Sequence, residues 1–365
     1  MQHIAFSNDV GLYIRAGRIT SKSVLQDGSS LEVKAMVFGS GWSPAQCDKS
    51  FLGECRERNS ALSWDIRLLK HKTLNCPVIL PNNSEEDDLE FVSKAKMGLR
   101  GKSCLVPAEC VWLNLGAALG KHKRHGTSNG LAAGDNYEHA AMNGALELLE
   151  RDAVLRWWWG VAAAGKIAKS VLYEYGLEPI FSRYMEVSIL HIHTFTTIYV
   201  SAALVIQNGL SFFGSAAELD EKSSVLHSLR EACTAAEISK GRLFPSVEQP
   251  KSLYERQIFH ASRKILKKRF ANTPSEYKFS LSVLNKETPT AEEFLNSEYF
   301  ATNILISQIS KNQLTDFCVI RALSTTLEGL PVDTWEENEQ KTKLLKSLDH
   351  RSQHEMNSYP PHPIY

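Results

Sequence analysis

The stretch TSNGLAAGDNYEHAAMNGALELLERDAVLRWWWG, residues 127–160, decides how this chain is read. It joins a loop of small residues to a helix carrying Glu147, Glu150 and Arg151, and then to three consecutive tryptophans. Positions i, i+3 and i+4 of an α-helix share one face, so these charged side chains project together. In the loop, Gly130 and Gly134 let the backbone approach a ligand, and Ser128, Asn129 and Asp135 offer polar contacts. No Gly-Lys-Ser/Thr follows, which excludes a Walker phosphate loop. Successive helix residues point about 100° apart. Trp157, Trp158 and Trp159 therefore cannot form one stacking platform, and they read as core packing at a helix end.

The same charge pattern occurs earlier. FLGECRERNSALSW (51–64) places Glu54, Glu57 and Arg58 as ALELLERDAVLRWW (145–158) places Glu147, Glu150 and Arg151. SLREACTAAE (228–237) is a fainter third version around Glu231. Two carboxylates three residues apart repel, which costs roughly a few tenths of a kcal/mol unless something offsets it. A divalent cation does so, and Mg²⁺ takes carboxylates together with phosphate oxygens and waters. Two such helices face to face would supply four carboxylates and two guanidiniums, enough to hold metal ions on a triphosphate while arginines contact its oxygens. A solvated face, with each arginine pairing to the glutamate at i−4, explains either copy alone. Two copies, each after turn residues, leave the readings evenly balanced.

The bulk numbers exclude several classes. With 365 residues, 43% hydrophobic and 22% charged, the chain can bury a real core. Basic and acidic residues balance at 41 each, so no overall field draws it to nucleic acid or an anionic membrane. Seven scattered cysteines, with no CxxC pair, argue against a disulfide framework and a structural zinc site. The opening MQHIAFSNDV lacks the basic and apolar regions of a signal peptide, and apolar runs such as VSAALVI (200–206) are too short to span a bilayer. A cytoplasmic protein is expected.

Along the chain, residues 31–38 read as a strand followed by a turn in GSGWSP, and 45–63 as a helix. NNSEEDDLE (82–90) reads as an acidic surface loop, and KHKRH (121–125) as a basic edge, either solvated or facing phosphate. CLVPAECVWLNLG (104–116) suggests an edge strand or turn. Residues 190–209 suggest two strands, 219–239 a helix and 317–324 a buried strand. His191 and His193 share one face of a strand without an evident third ligand and are read as structural. The expected organisation is a 1–30 extension, a mixed α/β domain over 31–331, and a polar 332–365 extension.

These residues resemble the YcaO family. SFLGECRERNS (50–60) resembles its first motif, S-x-x-x-E-x-x-E-R; residues 128–153 resemble its longest motif; and GSAAELDEKSSVLHSLREA (214–232) resembles a following strand-to-helix segment with a central glutamate. The resemblance implies an ATP-binding α/β fold without a P-loop. It also implies an enzyme that uses ATP and Mg²⁺ to phosphorylate a peptide-bond oxygen. A neighbouring Cys, Ser or Thr then closes a thiazoline or oxazoline ring, with positioning and charge stabilisation carrying the catalysis. It further implies that Glu54, Glu57, Glu147, Glu150 and Asp135 bind metal. Ser50, Ser128, Asn129, Glu138 and Arg321 would bind the nucleotide, and Arg58 and Arg151 would contact phosphates or orient the carboxylates.

Departures from the family pattern are Asp135-Asn136 for Asn-Thr, His139 for a second glutamate, and Ser40 for a lysine; imidazole is a poorer Mg²⁺ ligand than carboxylate. The ending PPHPIY resembles the family's proline-rich tail, which implies a catalytic terminal carboxylate at Tyr365; a disordered end is the alternative. The expected partners are a ribosomally made precursor peptide, a leader-binding E1-like or ocin-ThiF protein and a flavin dehydrogenase, within bacteriocin biosynthesis; a homodimer is compatible with this. Thioamide or amidine formation, or a non-catalytic accessory role, are the alternative functions.

Overall fold

Ser43 and Pro44 start the first long helix. The Ser43 side chain accepts the Gln46 N–H, and proline occupies the first helical turn, where no backbone donor is missed. This helix, α1 (Pro44–Leu62), is followed by two more of comparable length, α2 (Tyr137–Trp158), capped by Asn136, and α3 (Glu221–Ser239). The computed structural model describes residues 3–7, 11–71, 78–81, 90–120, 127–194, 197–239, 266–273, 289–311 and 317–327.

Each long helix follows a strand, and these strands belong to three antiparallel sheets. The first sheet is β1 (His3–Ser7), β2 (Tyr13–Val24) and β3 (Ser30–Gly41). The third contains β4 (Lys70–His71), β5 (Phe91–Met97), β6 (Ser103–Pro107) and β7 (Leu131–Gly134), completed by β12 (Ile304–Lys311) and β13 (Cys318–Ser324). The second is β8 (Ala164–Lys166), β9 (Glu186–Ile192), β10 (Tyr199–Gln207) and β11 (Leu210–Glu218).

The second sheet separates two helices. Ala202, Leu204 and Ile206 of β10 belong to the core around α2, whereas Ala203 and Val205 belong to the core around α3. That is why residues 202–206, AALVI, are apolar without alternation. α2 is buried around most of its circumference, and Trp157, Trp158 and Trp159 are all in the core, as their spacing predicts. Trp157 stacks on Phe213 of β11 and meets Phe270 edge-on.

Two boundaries differ from the sequence reading. β3 runs to Gly41, so the expected turn starts later; side chains at Gly39 and Gly41 would collide with the α1 backbone at Phe51 and Cys47. The boundary expected at residue 31 falls inside a hairpin, because β2 pairs with β3 along all 12 of its residues and both pack on α1. β2 is therefore packed into the same body as β3 and α1. β6 pairs along its length with β5, with one further bridge from Leu105 to Val78, and then enters a helical turn at Ala108–Val111, in line with the edge strand or turn expected there. The expected loops at 82–90 and 121–125, apart from Glu90, and all of 332–365 lie outside the described residues.

Candidate active site

β3, β7 and β11 are the terminal strands of their sheets, and each leads into a long helix that turns a glutamate back onto it. Glu54 accepts the N–H of Phe38 at 3.3 Å, Glu147 that of Gly130 at 3.2 Å, and Glu231 that of Ser215 at 3.4 Å. The sequence separations are 16, 17 and 16 residues, so the three strand–helix units repeat in geometry as well as in sequence. An edge strand offers unpaired backbone donors, and the carboxylates satisfy them.

The units are linked in order. Glu57 of α1 accepts the N–H of Ala133 on β7 at 2.8 Å, and Glu150 of α2 accepts the Ser215 hydroxyl on β11 at 2.6 Å. Between them lies a cleft of about 440 Å³. Glu54, Glu57, Arg58, Ser128, Glu147, Glu150 and Arg151 line it, together with Asn143, Ser215, Glu218, His227 and Glu231. Both E-x-x-E-R helices line this cleft.

Charge in the cleft is unbalanced: carboxylates outnumber guanidiniums six to two. Each arginine pairs with the first glutamate of its own motif, Arg58 with Glu54 at 3.5 Å and Arg151 with Glu147 at 2.7 Å. Burial pushes Glu57 up to about 8, only partly countered by the Ala133 N–H. Burial and then the nearby Glu231 carboxylate push Glu150 up to about 7. Burial raises Glu54 too, against the pull of Arg58. Burial disfavours the charged Arg151, but Glu147 and Glu150 outweigh it and hold the guanidinium above its ordinary value.

The other sequence candidates fall elsewhere. Asp135 is largely exposed at the start of α2 and pairs with Lys49 at 2.9 Å, with His139 beside it. Glu138 lines a separate, open cleft of about 1000 Å³ with Lys94, Lys96 and Tyr137. Ser50 faces β3 and accepts the Ser40 N–H at 3.4 Å, and the Asn129 N–H is held by Thr127 Oγ1 at 3.2 Å. Arg321 is 2% exposed and donates to the carbonyls of Cys110 and Thr127, pinning the loop before β7 from behind; burial lowers it to about 10. Tyr365 lies outside the described residues. Ser215, Glu218, His227 and Asn143 were not singled out from sequence. The near-repeat around Glu231 is the signal that could have found the α3 side.

The fold and cleft define an α/β protein with an acidic, non-P-loop site built on paired E-x-x-E-R helices. The sequence matches the YcaO family, described as an ATP- and Mg²⁺-binding cyclodehydratase, over residues 38–297, and the chain belongs to that family of ATP-dependent peptide-modifying enzymes. No curated protein matches it. Its fold is similar to that of YcaO from Methanopyrus kandleri bound with AMPPCP and Mg²⁺ (TM-score 0.68, 17% identity, covering 92% of this chain and 88% of that one). It is also similar to the E. coli microcin synthetase McbBCD complex (0.63, 12%, 90% and 88%). A heterocyclase in complex with substrate and cofactor aligns at 0.64 and 14%, covering 90% of this chain, which spans half the length of that protein. No described helix is long and apolar enough to cross a membrane.

Proposed function

We propose that the chain uses ATP and Mg²⁺ to activate backbone amides of a ribosomally made precursor peptide, cyclising Cys, Ser or Thr to thiazoline or oxazoline during bacteriocin maturation. The observation that carries this reading is the convergence of Glu54, Glu57, Glu147 and Glu150 on one cleft with Arg58 and Arg151.

The donor set fits Mg²⁺. The four glutamates are oxygen ligands, and burial holds Glu54, Glu57 and Glu150 above the ordinary carboxylate range, so a cation bound there would offset the cost of ionising them. Among the described residues no three His, Cys, Asp or Glu side chains converge as a ready ligand cluster, since each glutamate is turned to its own backbone or arginine partner. Bound there, the ion would supply charge neutralisation between these carboxylates and an equally anionic triphosphate. Arg58 and Arg151, anchored by one glutamate each, would offer their remaining donors to phosphate oxygens. Ser128 lines the same cleft and would contact the nucleotide. Asp135 would sit apart, at the Lys49 edge.

The E. coli relative in fold is a microcin synthetase complex, which supports a multi-protein setting; a cytoplasmic location is part of the same reading. A leader-binding E1-like or ocin-ThiF partner and a flavin dehydrogenase would complete that setting. Thioamide or amidine formation, which needs the same amide activation, is the second reading. Mass spectrometry of the precursor after reaction with Mg·ATP separates the two. Exchange of oxygen for sulfur supports the thioamide; loss of one water supports cyclodehydration when fragmentation maps it to a Cys, Ser or Thr and the amide before it, and the amidine when it maps to an amine and an amide; an unchanged mass with no ADP formed contradicts both.

A further inference from the structure

The walls of the acidic cleft carry different chemistry. α1 and α2 bring carboxylates paired with arginines, whereas β11 and α3 bring Glu218 and His227. The third strand–helix unit keeps the first glutamate of the motif, Glu231, but Thr234 and Ala235 stand where α1 has Glu57 and Arg58. In place of that ion-pair chemistry it offers an imidazole. His227 is the sole histidine among the described residues lining the cleft.

His227 Nδ1 lies 2.9 Å from Glu218 Oε1, and Nε2 lies 3.7 Å from Glu231 Oε1, beyond hydrogen-bond reach. A carboxylate accepts only, so a neutral imidazole places its proton on Nδ1 and its lone pair on Nε2. The His227 side chain is 35% exposed and that of Glu218 30%, so the ring is open to what fills the cleft. A carboxylate that orients an imidazole, with the far ring nitrogen free, is the arrangement of a general base and its orienting group.

We propose that His227, oriented by Glu218, takes the proton of the peptide side chain that attacks the amide carbon. The inference rests on the cyclodehydration reading above. The S–H or O–H bond breaks, its proton passes to Nε2, and its electron pair forms the bond to the amide carbon. The carbonyl π pair moves onto oxygen, which takes the terminal phosphoryl of ATP as ADP leaves. Loss of the amide N–H proton to solvent then forms the C=N bond and expels phosphate carrying the former amide oxygen. The proton on Nε2 returns to solvent. Glu231, facing Nε2, stabilises the imidazolium while it lasts.

The test compares wild type with His227→Ala, His227→Gln and Glu218→Gln, each supplied with its precursor peptide, leader-binding partner and Mg·ATP. Mg·ATP binding is followed by calorimetry and ring formation by mass. At saturating Mg·ATP, His227→Ala should lose ring formation by about 10²-fold. Added imidazole should restore part of that loss. His227→Gln should be as impaired as His227→Ala, and Glu218→Gln should fall between. Wild-type ring formation by His227→Ala, a loss that imidazole leaves untouched, or recovery in His227→Gln would each overturn the proton-transfer role. A wild type that binds Mg·ATP but forms no ring would overturn the cyclodehydration reading itself, and the inference with it.

Discussion

Glu57 on α1 accepts the N–H of Ala133 on β7 at 2.8 Å, which ties the first E-x-x-E-R helix to the strand that leads into the second. One carboxylate thus fills an edge-strand vacancy and faces the cleft where a cation would sit.

Glu57→Gln keeps an acceptor for Ala133 and matches the neutral form that burial already favours at pH 7. Its unfolding temperature without ligand should stay close to wild type, while the stabilisation by added Mg·ATP disappears. Glu57→Ala leaves the Ala133 N–H unpaired and should cost about 1–3 kcal/mol. Thermal unfolding with and without Mg·ATP reads both effects.

The pH dependence has a definite sign. Glu57 and Glu150 are raised by burial to about 8 and about 7, so the folded protein holds protons there that the unfolded chain releases. Their contribution to stability is fully present below the ordinary carboxylate range and is lost as pH rises through those values. A cation must displace the same protons, so Mg·ATP affinity should climb from pH 6 to pH 8 with net proton release. Calorimetry in buffers of different ionisation enthalpy measures it; a flat affinity without proton release would contradict the carboxylates' role.

Gly214 on β11 lies against α3 so closely that an added Cβ would collide with the backbone at Ser228 and Ala232. Gly214→Ala should lift α3 from β11 and destabilise the fold by about 1–3 kcal/mol. Denaturant unfolding checks the loss. Because Ser215 bonds both Glu150 and Glu231, nucleotide affinity should fall as well.

Arg321 holds the carbonyls of Cys110 and Thr127 from inside the third sheet. Arg321→Met removes a buried cation but strands two carbonyls, and it should cost about 1–3 kcal/mol of stability. Arg321→Lys should recover little, since an ammonium does not reproduce the planar fork that reaches both. Equilibrium unfolding of the two variants against wild type decides this.

Much of the site was legible in the sequence because helical spacing is a local property. The positions of Glu54, Glu57, Glu147 and Glu150 follow from i, i+3 geometry, and the burial of the tryptophans follows from their being consecutive. Glu218 and His227 come together only because β11 packs on α3, and no period in the sequence records that contact. Asp135 and Glu138 belong to the long motif in sequence, yet Asp135, just before the α2 cap, pairs with Lys49, and Glu138, in the first turn, lines the second cleft. β2 escaped notice because its small and charged residues, YIRAGRITSKSV, mask the alternation that its burial reveals.

The most direct measurement is calorimetric binding of Mg·ATP to wild type and to a Glu147→Ala/Glu150→Ala variant, each with the partner present. Binding by wild type that is lost in a folded variant is the predicted result. Equal binding by both, or none by a well-folded wild type, would contradict the assignment of metal and nucleotide to this cleft.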